Sequence, residues 1–513
     1  MFYPLTVRDF IDRARDIYPD RIAVIDEPAQ PAPSWGEVTY RELARRARAQ
    51  AAALDRLGVP LGARVAIVSQ NSARLLTSFF GVSGYGRVLV PVNFRLAAAE
   101  IDYIIGHSGA EVLLLDPSLE HLREAIKTEH TFILGDCDED VFDVSHQRDD
   151  EPQPWDGDEA ATATINYTSG TTARPKGVQL THRNLWLNAV TFGLHAGATD
   201  RDVYLHTLPM FHANGWGWPY LVTGVGAQHI VIRQIDGAEI LRRIEAHGVT
   251  VMCAAPAVVN AILDAAVSWD AAIPGRDRVR IIVAGAPPPT RTIERVRADL
   301  GWEFIQIYGL TETSPLLTMS RMRAEWDGLD AHEQARLLGR AGAPTIGVRA
   351  SLDADNEVLA QSNQNLAGYW EQPEATEVAQ AGNWFHTGDG GRIDDDGYVV
   401  IADRKKDVII TGGENVSSIE VEDILNSHPA VREVAVIGIP DEKWGELVMA
   451  LVVTDGSPVA EADLIAHCRT GLAGYKCPKR IEFRPELPRT ATGKLQKFKL
   501  RQPFWEGHER GVN

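Results

Sequence analysis

Hydroxyls and glycines crowd into the stretch YTSGTTARPKG, residues 167–177, with a lysine near its end. Backbone N–H groups of such a loop converge on an anion, and Thr168, Ser169, Gly170, Thr171, Thr172 and Lys176 add hydroxyls and a full charge suited to phosphate. It is not a Walker loop, because no Gly-Lys-Ser/Thr closes it. Taken alone it reads more readily as a solvated turn. A second block, IQIYGLTETSP (305–315), sets Tyr308, Gly309, Thr311 and Glu312 directly after a buried strand. That order offers an aromatic face for adenine, a hydroxyl for phosphate and a carboxylate for Mg²⁺, although the aromatic would equally serve a core. Residues 383–422 carry Asp389, a carboxylate able to grip both hydroxyls of a ribose, and the pair Gly412-Gly413. LPRTATGKLQK (487–497) ends the series with Lys494 in a flexible Thr-Gly-Lys turn.

The elements that must position these residues alternate between apolar β-branched runs and amphipathic segments. TYREL (39–43) opens a helix to about Leu57, with Thr39 as N-cap. RVAIVS (64–69), RVLVPV (87–92), EVLLLD (111–116) and TFILGD (131–136) read as strands, and a helix passes through 75–80. A second series follows at HIVIR (229–233), VTVMCAAP (249–256), VRIIVAGAPPP (279–289) and EFIQIYG (303–309). Strands spaced by helices imply an α/β layered fold with parallel sheets. Turn signals multiply from about 346 to 401, which predicts a small β-rich subdomain. Beyond DRKKD (403–407) a compact α/β tail begins. The expected organisation is a large domain over 1–403, a hinge at 404–406, and a small mobile domain over 407–513.

Composition narrows the field. A chain of 513 residues is too long for one core, and apolar and charged fractions of 44% and 24% are those of a globular protein. The formal charge of −19 argues against a nucleic-acid partner, which needs a basic footprint. Four scattered cysteines show no metal-ligand spacing and no disulfide framework. The N-terminus lacks a basic start followed by an apolar run, and no apolar stretch is long enough to span a bilayer. A cytoplasmic location is the expectation.

Together and in this order, the four blocks resemble the adenylate-forming superfamily, which includes acyl-CoA synthetases, aryl-CoA ligases, peptide-synthetase adenylation domains and beetle luciferases. The resemblance covers essentially the whole chain. It implies that residues 167–177 close over the ATP β- and γ-phosphates, and that Gly285, Ala286 and Pro287 line the adenine or acyl pocket. It implies that Tyr308 stacks on adenine, Thr311 binds the α-phosphate, Glu312 holds Mg²⁺, and Asp389 and Arg404 bind ribose. Lys406 is the implied hinge. Lys494 is the implied contact to the α-phosphate and substrate carboxylate during adenylation, and Gly412-Gly413 the implied bare backbone along which pantetheine slides.

LPMFHANGWGWPY (208–220) indicates the branch. Amino-acid-activating relatives place an aspartate after the phenylalanine, whereas His212 follows Phe211 here. The arrangement resembles fatty-acyl and related CoA synthetases, with His212 beside the carboxylate, Trp216 as gate of an acyl tunnel, and Trp218 and Tyr220 adding bulk or simply packing the core. GGENVSSIEVE also resembles the CoA-synthetase branch. Trp444 and Lys443 are candidates for the CoA nucleotide; Lys476, Lys479 and Arg480 are too, though a solvated basic surface explains those three equally.

Ala173 stands where the family loop has glycine, and Asn356 and Asn363 replace glycines in NEVLAQSNQN. Two enzymatic readings follow. One is a complete synthetase joining a hydrophobic carboxylic acid (fatty, aryl or bulky polycyclic) to CoA through an acyl-adenylate, with ATP, Mg²⁺ and CoA. The other is a variant that has lost adenylation and only transfers the acyl group from a pre-formed acyl-adenylate to CoA. A regulatory nucleotide binder is a third class, against which Glu312 and Lys494 speak. The resemblance allows a homodimer.

Overall fold

Runs of aliphatic and β-branched residues become strands, and the amphipathic stretches between them become helices that cover the sheets. The computed structural model describes residues 1–135, 151–168, 174–404, 407–412, 414–441, 443–490 and 495–506, with the side chains of residues 403 and 404 outside that description.

A large N-terminal domain holds two α/β sheets. One runs, in spatial order, Gly368–Tyr369, Lys176–Thr181, Thr162–Thr168, Val88–Val92, Arg64–Val68, Ala110–Leu115, His130–Ile133. The other runs Ala343–Pro344, Leu316–Ser320, Glu303–Gly309, Arg280–Val283, Val251–Ala254, Val203–His206, Gln228–Val231, Ile22–Ile25, Glu37–Thr39. Their centres are parallel, as the alternation with helices predicts. Each sheet turns antiparallel toward its edge: Thr162–Thr168 against Lys176–Thr181 and on to Gly368–Tyr369 in one, Glu303–Gly309 against Leu316–Ser320 and on to Ala343–Pro344 in the other, whose far edge Glu37–Thr39 is antiparallel too. The alternation of strands and helices implies parallel sheets and does not indicate these reversals. A loop of a few residues can reverse a strand but cannot carry the crossover that a parallel pair needs. The reversals at 162–181 and 303–320 fall on the motif loops, so each loop is held at both ends by one sheet.

Helix Tyr40–Arg56 is capped by Thr39, whose hydroxyl accepts from the Glu42 N–H. Ser72 caps helix Ala73–Gly81 in the same way. Between the sheets the main core gathers Leu43, Ala47, Val65, Phe79, Phe80, Leu89, Phe192 and Trp218. A four-stranded antiparallel sheet (Val348–Leu352, Glu357–Ser362, Phe385–Ile393, Val399–Arg404) forms the β-rich subdomain. Asn356 takes φ +61° in its first turn, a conformation asparagine tolerates.

The small C-terminal domain is built on Val431–Asp441 and Gly445–Thr454, which pair over their whole length. Beyond the register shift between Val431 and Glu433 their side chains alternate. Val434, Val436, Val448, Ala450 and Val452 face one core, while Ala435, Ile437, Met449, Leu451 and Val453 face another. The domain meets the large one where helix Ser418–Ser427 approaches helix Thr290–Arg295. There the Thr290 N–H and Oγ1 donate to Asp423 at 2.9 and 3.1 Å, and Arg291 donates to the His428 carbonyl.

Candidate active site

The phosphate-type loop springs from the antiparallel pair whose last register places Thr168 opposite Lys176. Ser169, Gly170, Thr171, Thr172 and Ala173 lie outside the described residues, but their flanks are anchored to helix Ala98–Ser108. The Tyr167 hydroxyl hydrogen-bonds His107 Nδ1 at 2.8 Å, and burial pushes that phenol well above its ordinary pKa. Arg174 sets its guanidinium over the Tyr103 ring at 5.4 Å. Both ends of the loop are therefore clamped to one helix.

Tyr308 ends its strand beside the chain leaving Arg280–Val283, where Gly285, Ala286 and Pro287 are partly or fully exposed. This is the carboxyl edge of parallel strands, where α/β sheets bind ligands. The Tyr308 hydroxyl donates to Asp389 Oδ2 at 2.8 Å, so two residues 81 apart in the chain are joined. Asp389 is buried and directly opposite Arg404 in register. The turn before Asp389 is braced by Glu357, whose Oε1 accepts the Gly388 N–H at 2.7 Å, and by Thr387 donating to the Val358 carbonyl.

Thr311 and Glu312 form a single helical turn after Gly309 and are partly exposed. A Cβ on Gly309 would overlap the Pro315 carbonyl, so only glycine lets the loop fold back on its strand. Glu312 Oε1 accepts from the Tyr369 hydroxyl at 3.0 Å, and the Lys176 ammonium lies over the Tyr369 ring at 4.8 Å. Burial and the Glu312 charge push the Tyr369 phenol far above its usual range, so it remains a donor. One carboxylate held by the Tyr369 hydroxyl suits Mg²⁺, which keeps most of its ligands as water and phosphate oxygens.

His212 opens the segment His212–Gly217 and is partly buried. Ala213, Asn214, Gly215 and Trp216 follow in an unbroken left-handed turn (φ 37°, 47°, 55°, 58°). Left-handed backbone costs L-residues about 1–2 kcal/mol each, so the surroundings must impose it. They do. Asn214 Nδ2 donates to Thr164 Oγ1 at 2.9 Å, on the strand feeding the phosphate loop, and Asn188 Nδ2 donates to the Trp216 carbonyl. Asn188 Oδ1 also accepts from the Leu316 N–H beyond Glu312. Trp216 is almost wholly buried and Trp218 completely so, stacked on Tyr204 at 4.8 Å and edge-on to Phe192. Trp218 and Tyr220 thus take the core-packing alternative.

In the small domain, Gly412 (φ +61°) donates its N–H to the Trp444 carbonyl, and a Cβ there would meet the indole at 2.8 Å. Trp444 is 46% exposed, with the Lys443 ammonium over its ring. Lys476 is paired with Glu420, Lys479 donates to the Gly474 carbonyl, and Arg480 lies over Phe504. Lys406, Gly413 and Lys494, and the Arg404 side chain, lie outside the described residues.

The profile of the AMP-binding enzyme family matches residues 11–370, and that of the AMP-binding enzyme C-terminal domain matches residues 420–494. The chain belongs to this family, the adenylate-forming enzymes, on the acyl-CoA ligase branch. It is an AMP-forming acid–thiol ligase. The ligase is 37% identical over 528 residues to 4-hydroxybutyrate–CoA ligase 2 of Metallosphaera sedula, covering 97% of this chain and 94% of the relative. It is 35% identical to a 2-methylpropanoate–CoA ligase of Humulus lupulus, covering 97% and 95%. An anthranilate CoA ligase solved with anthranoyl-AMP superposes with a TM-score of 0.87 at 27% identity, covering 98% of both chains. No helix among the described residues of the ligase is long and apolar enough to cross a membrane.

Tyr369, Asn188, Thr164 and Glu357 were not legible as site residues. Their only sequence signal is proximity to a motif, because each acts on a partner far away in the chain.

Proposed function

We propose that the ligase joins a short aliphatic carboxylic acid to CoA. The acid's carboxylate oxygen attacks the α-phosphorus of ATP and pyrophosphate leaves. The CoA sulfur then attacks the acyl carbonyl carbon and AMP leaves. One observation carries this reading: Tyr308–Asp389 and Glu312–Tyr369–Lys176 form two prearranged polar groups. Tyr308 and Asp389 hold adenine and ribose, with Arg404 beside them. Thr311 meets the α-phosphate, and Lys176 with the loop from Thr168 to Thr172 meets the β- and γ-phosphates. Glu312 would hold Mg²⁺, whose positive charge would offset repulsion between carboxylate and polyphosphate. Lys494 adds a second positive charge on the carboxylate side, and His212 orients that carboxylate.

A short acid fits the burial of Trp216, the tunnel gate implied by the resemblance, which is closed into the core beside Trp218. The 4-hydroxybutyrate and 2-methylpropanoate ligases among the relatives point the same way. For thioester formation, rotation about Lys406 brings Gly412 and Gly413 to the site and Trp444 toward the CoA nucleotide; we take 404–406 as the boundary between domains.

Acid-dependent pyrophosphate–ATP exchange, measured over straight, branched, hydroxylated and aromatic acids, tests this reading. Exchange that peaks on short acids, followed by thioester with CoA, is expected. Thioester from synthetic acyl-adenylate without any exchange would restore the transfer-only enzyme, and a preference for long or polycyclic acids would overturn the short-acid assignment.

A further inference from the structure

Glu312 and Lys176 carry opposite charges that must both face the same polyphosphate. Left adjacent, such a pair neutralises itself, and each charge is then lost to the ligand until the pair breaks. Tyr369 lies against both. Its ring is the seat of the Lys176 ammonium at 4.8 Å, and its hydroxyl donates to Glu312 Oε1 at 3.0 Å. The tyrosine is itself rigidly placed. The two-residue strand Gly368–Tyr369 pairs with Lys176–Thr181, Tyr369 opposite Val178. On one side the Tyr369 N–H donates to Thr376 Oγ1 at 2.8 Å, and on the other the Trp370 N–H donates to the Gly177 carbonyl at 2.7 Å. The Leu366 N–H binds the Glu312 carbonyl at 2.7 Å, which locks the segment to the Glu312 turn as well. The segment 366–370 therefore stitches the phosphate loop to the metal-binding turn.

We propose that Tyr369 is a positioning residue that keeps Lys176 and Glu312 apart and aimed, the cation by its ring face and the carboxylate by its hydroxyl. This rests on the reading above, in which Glu312 holds Mg²⁺ and Lys176 meets ATP phosphates. The two functions reside in different parts of one side chain and separate by substitution. Partners that orient a metal ligand are typically worth about 10–100-fold in metal affinity, whereas an exposed cation–π contact is worth about 2–5-fold.

The test uses the full-length protein and two equilibrium titrations: Mn²⁺ binding followed by electron paramagnetic resonance with ATP present, and ATP binding by calorimetry without divalent metal. Tyr369→Phe keeps the ring and is expected to weaken Mn²⁺ about 10–100-fold while leaving metal-free ATP binding unchanged. Tyr369→Leu is expected to weaken Mn²⁺ similarly and metal-free ATP by about 2–5-fold as well. Mn²⁺ affinity of Tyr369→Phe within twofold of the parent overturns the proposal. So does an equal loss of metal-free ATP binding in that variant, which marks a merely structural role. Glu312→Gln separates the two layers. If it loses Mn²⁺ while Tyr369→Phe does not, only the positioning role falls; if it retains Mn²⁺, the assignment of the metal to Glu312 falls and the positioning role with it.

Discussion

Around the residues proposed for the nucleotide, Tyr308 and Asp389, and Glu312 and Tyr369, hold one another by hydrogen bonds, all but Asp389 partly open to solvent. Around the residues proposed for the acid, Ala213 to Trp216 are buried in left-handed backbone, and Trp218 Nε1 and Asn214 Oδ1 have no hydrogen-bond partner among the described residues. One half is polar, mutually satisfied and built to meet charge. The other is apolar, strained and imposed by packing. The contrast teaches that the groups proposed for the reaction are set in hydrogen-bonded pairs, whereas those proposed for selectivity are set by volume and backbone shape.

Four experiments bear on that contrast. The largest effect is expected from Trp218→Ala, which empties a fully buried indole site and should cost about 3–5 kcal/mol in chemical denaturation. The variant should also admit longer acids. A loss below 1 kcal/mol would break the division, because Trp218 would then not be packing the core. Next is Glu312→Gln, for which acid-dependent exchange should fall about 10²–10³-fold, or about 2.7–4 kcal/mol, with stability within about 0.5 kcal/mol of the parent. A large drop in melting temperature would show that the polar half also carries the fold.

The third prediction concerns pH. His182, first residue of helix His182–Ala196, receives the Val7 N–H on Nδ1, and burial holds its folded-state pKa at about 4. An unfolded histidine titrates near ~6.5, so the unfolded chain takes the proton first. Stability present above that value is expected to fall between about pH 6.5 and 4, by roughly 3 kcal/mol from this residue. His182→Gln should flatten that part of the stability–pH curve; an unchanged slope would refute the buried neutral imidazole. The smallest effect is Tyr308→Phe, which removes the hydrogen bond to Asp389 and should raise the ATP KM roughly tenfold, about 1.5 kcal/mol, with the KM for the acid unchanged. A matching rise in both would mean that the two halves of the cleft are coupled.

Much of the polar half was legible because its residues sit in short ordered blocks. Tyr308 and Glu312 follow a strand within one motif, and Asp389 stands in a block of its own. The left-handed turn was not legible, although asparagine and two glycines in HANGWGW hint at it, because Ala213 and Trp216 disfavour that backbone and adopt it only under the hold of Asn188 and Thr164. Nor was the reversal of each sheet at its motif loop, since periodicity reports which face of an element is buried and not the direction of its neighbour.

By itself, the sequence determined the fold class, the order of the motifs and the reaction chemistry, because capping, strand periodicity and ligand-type residues act over a few positions. Tertiary structure alone decided that Tyr369 would stand between Lys176 and Glu312, that Asp389 would meet Tyr308, and that Trp218 would fill the core. Those outcomes depend on packing energies summed over residues far apart in the chain, and no local pattern encodes which distant partner wins.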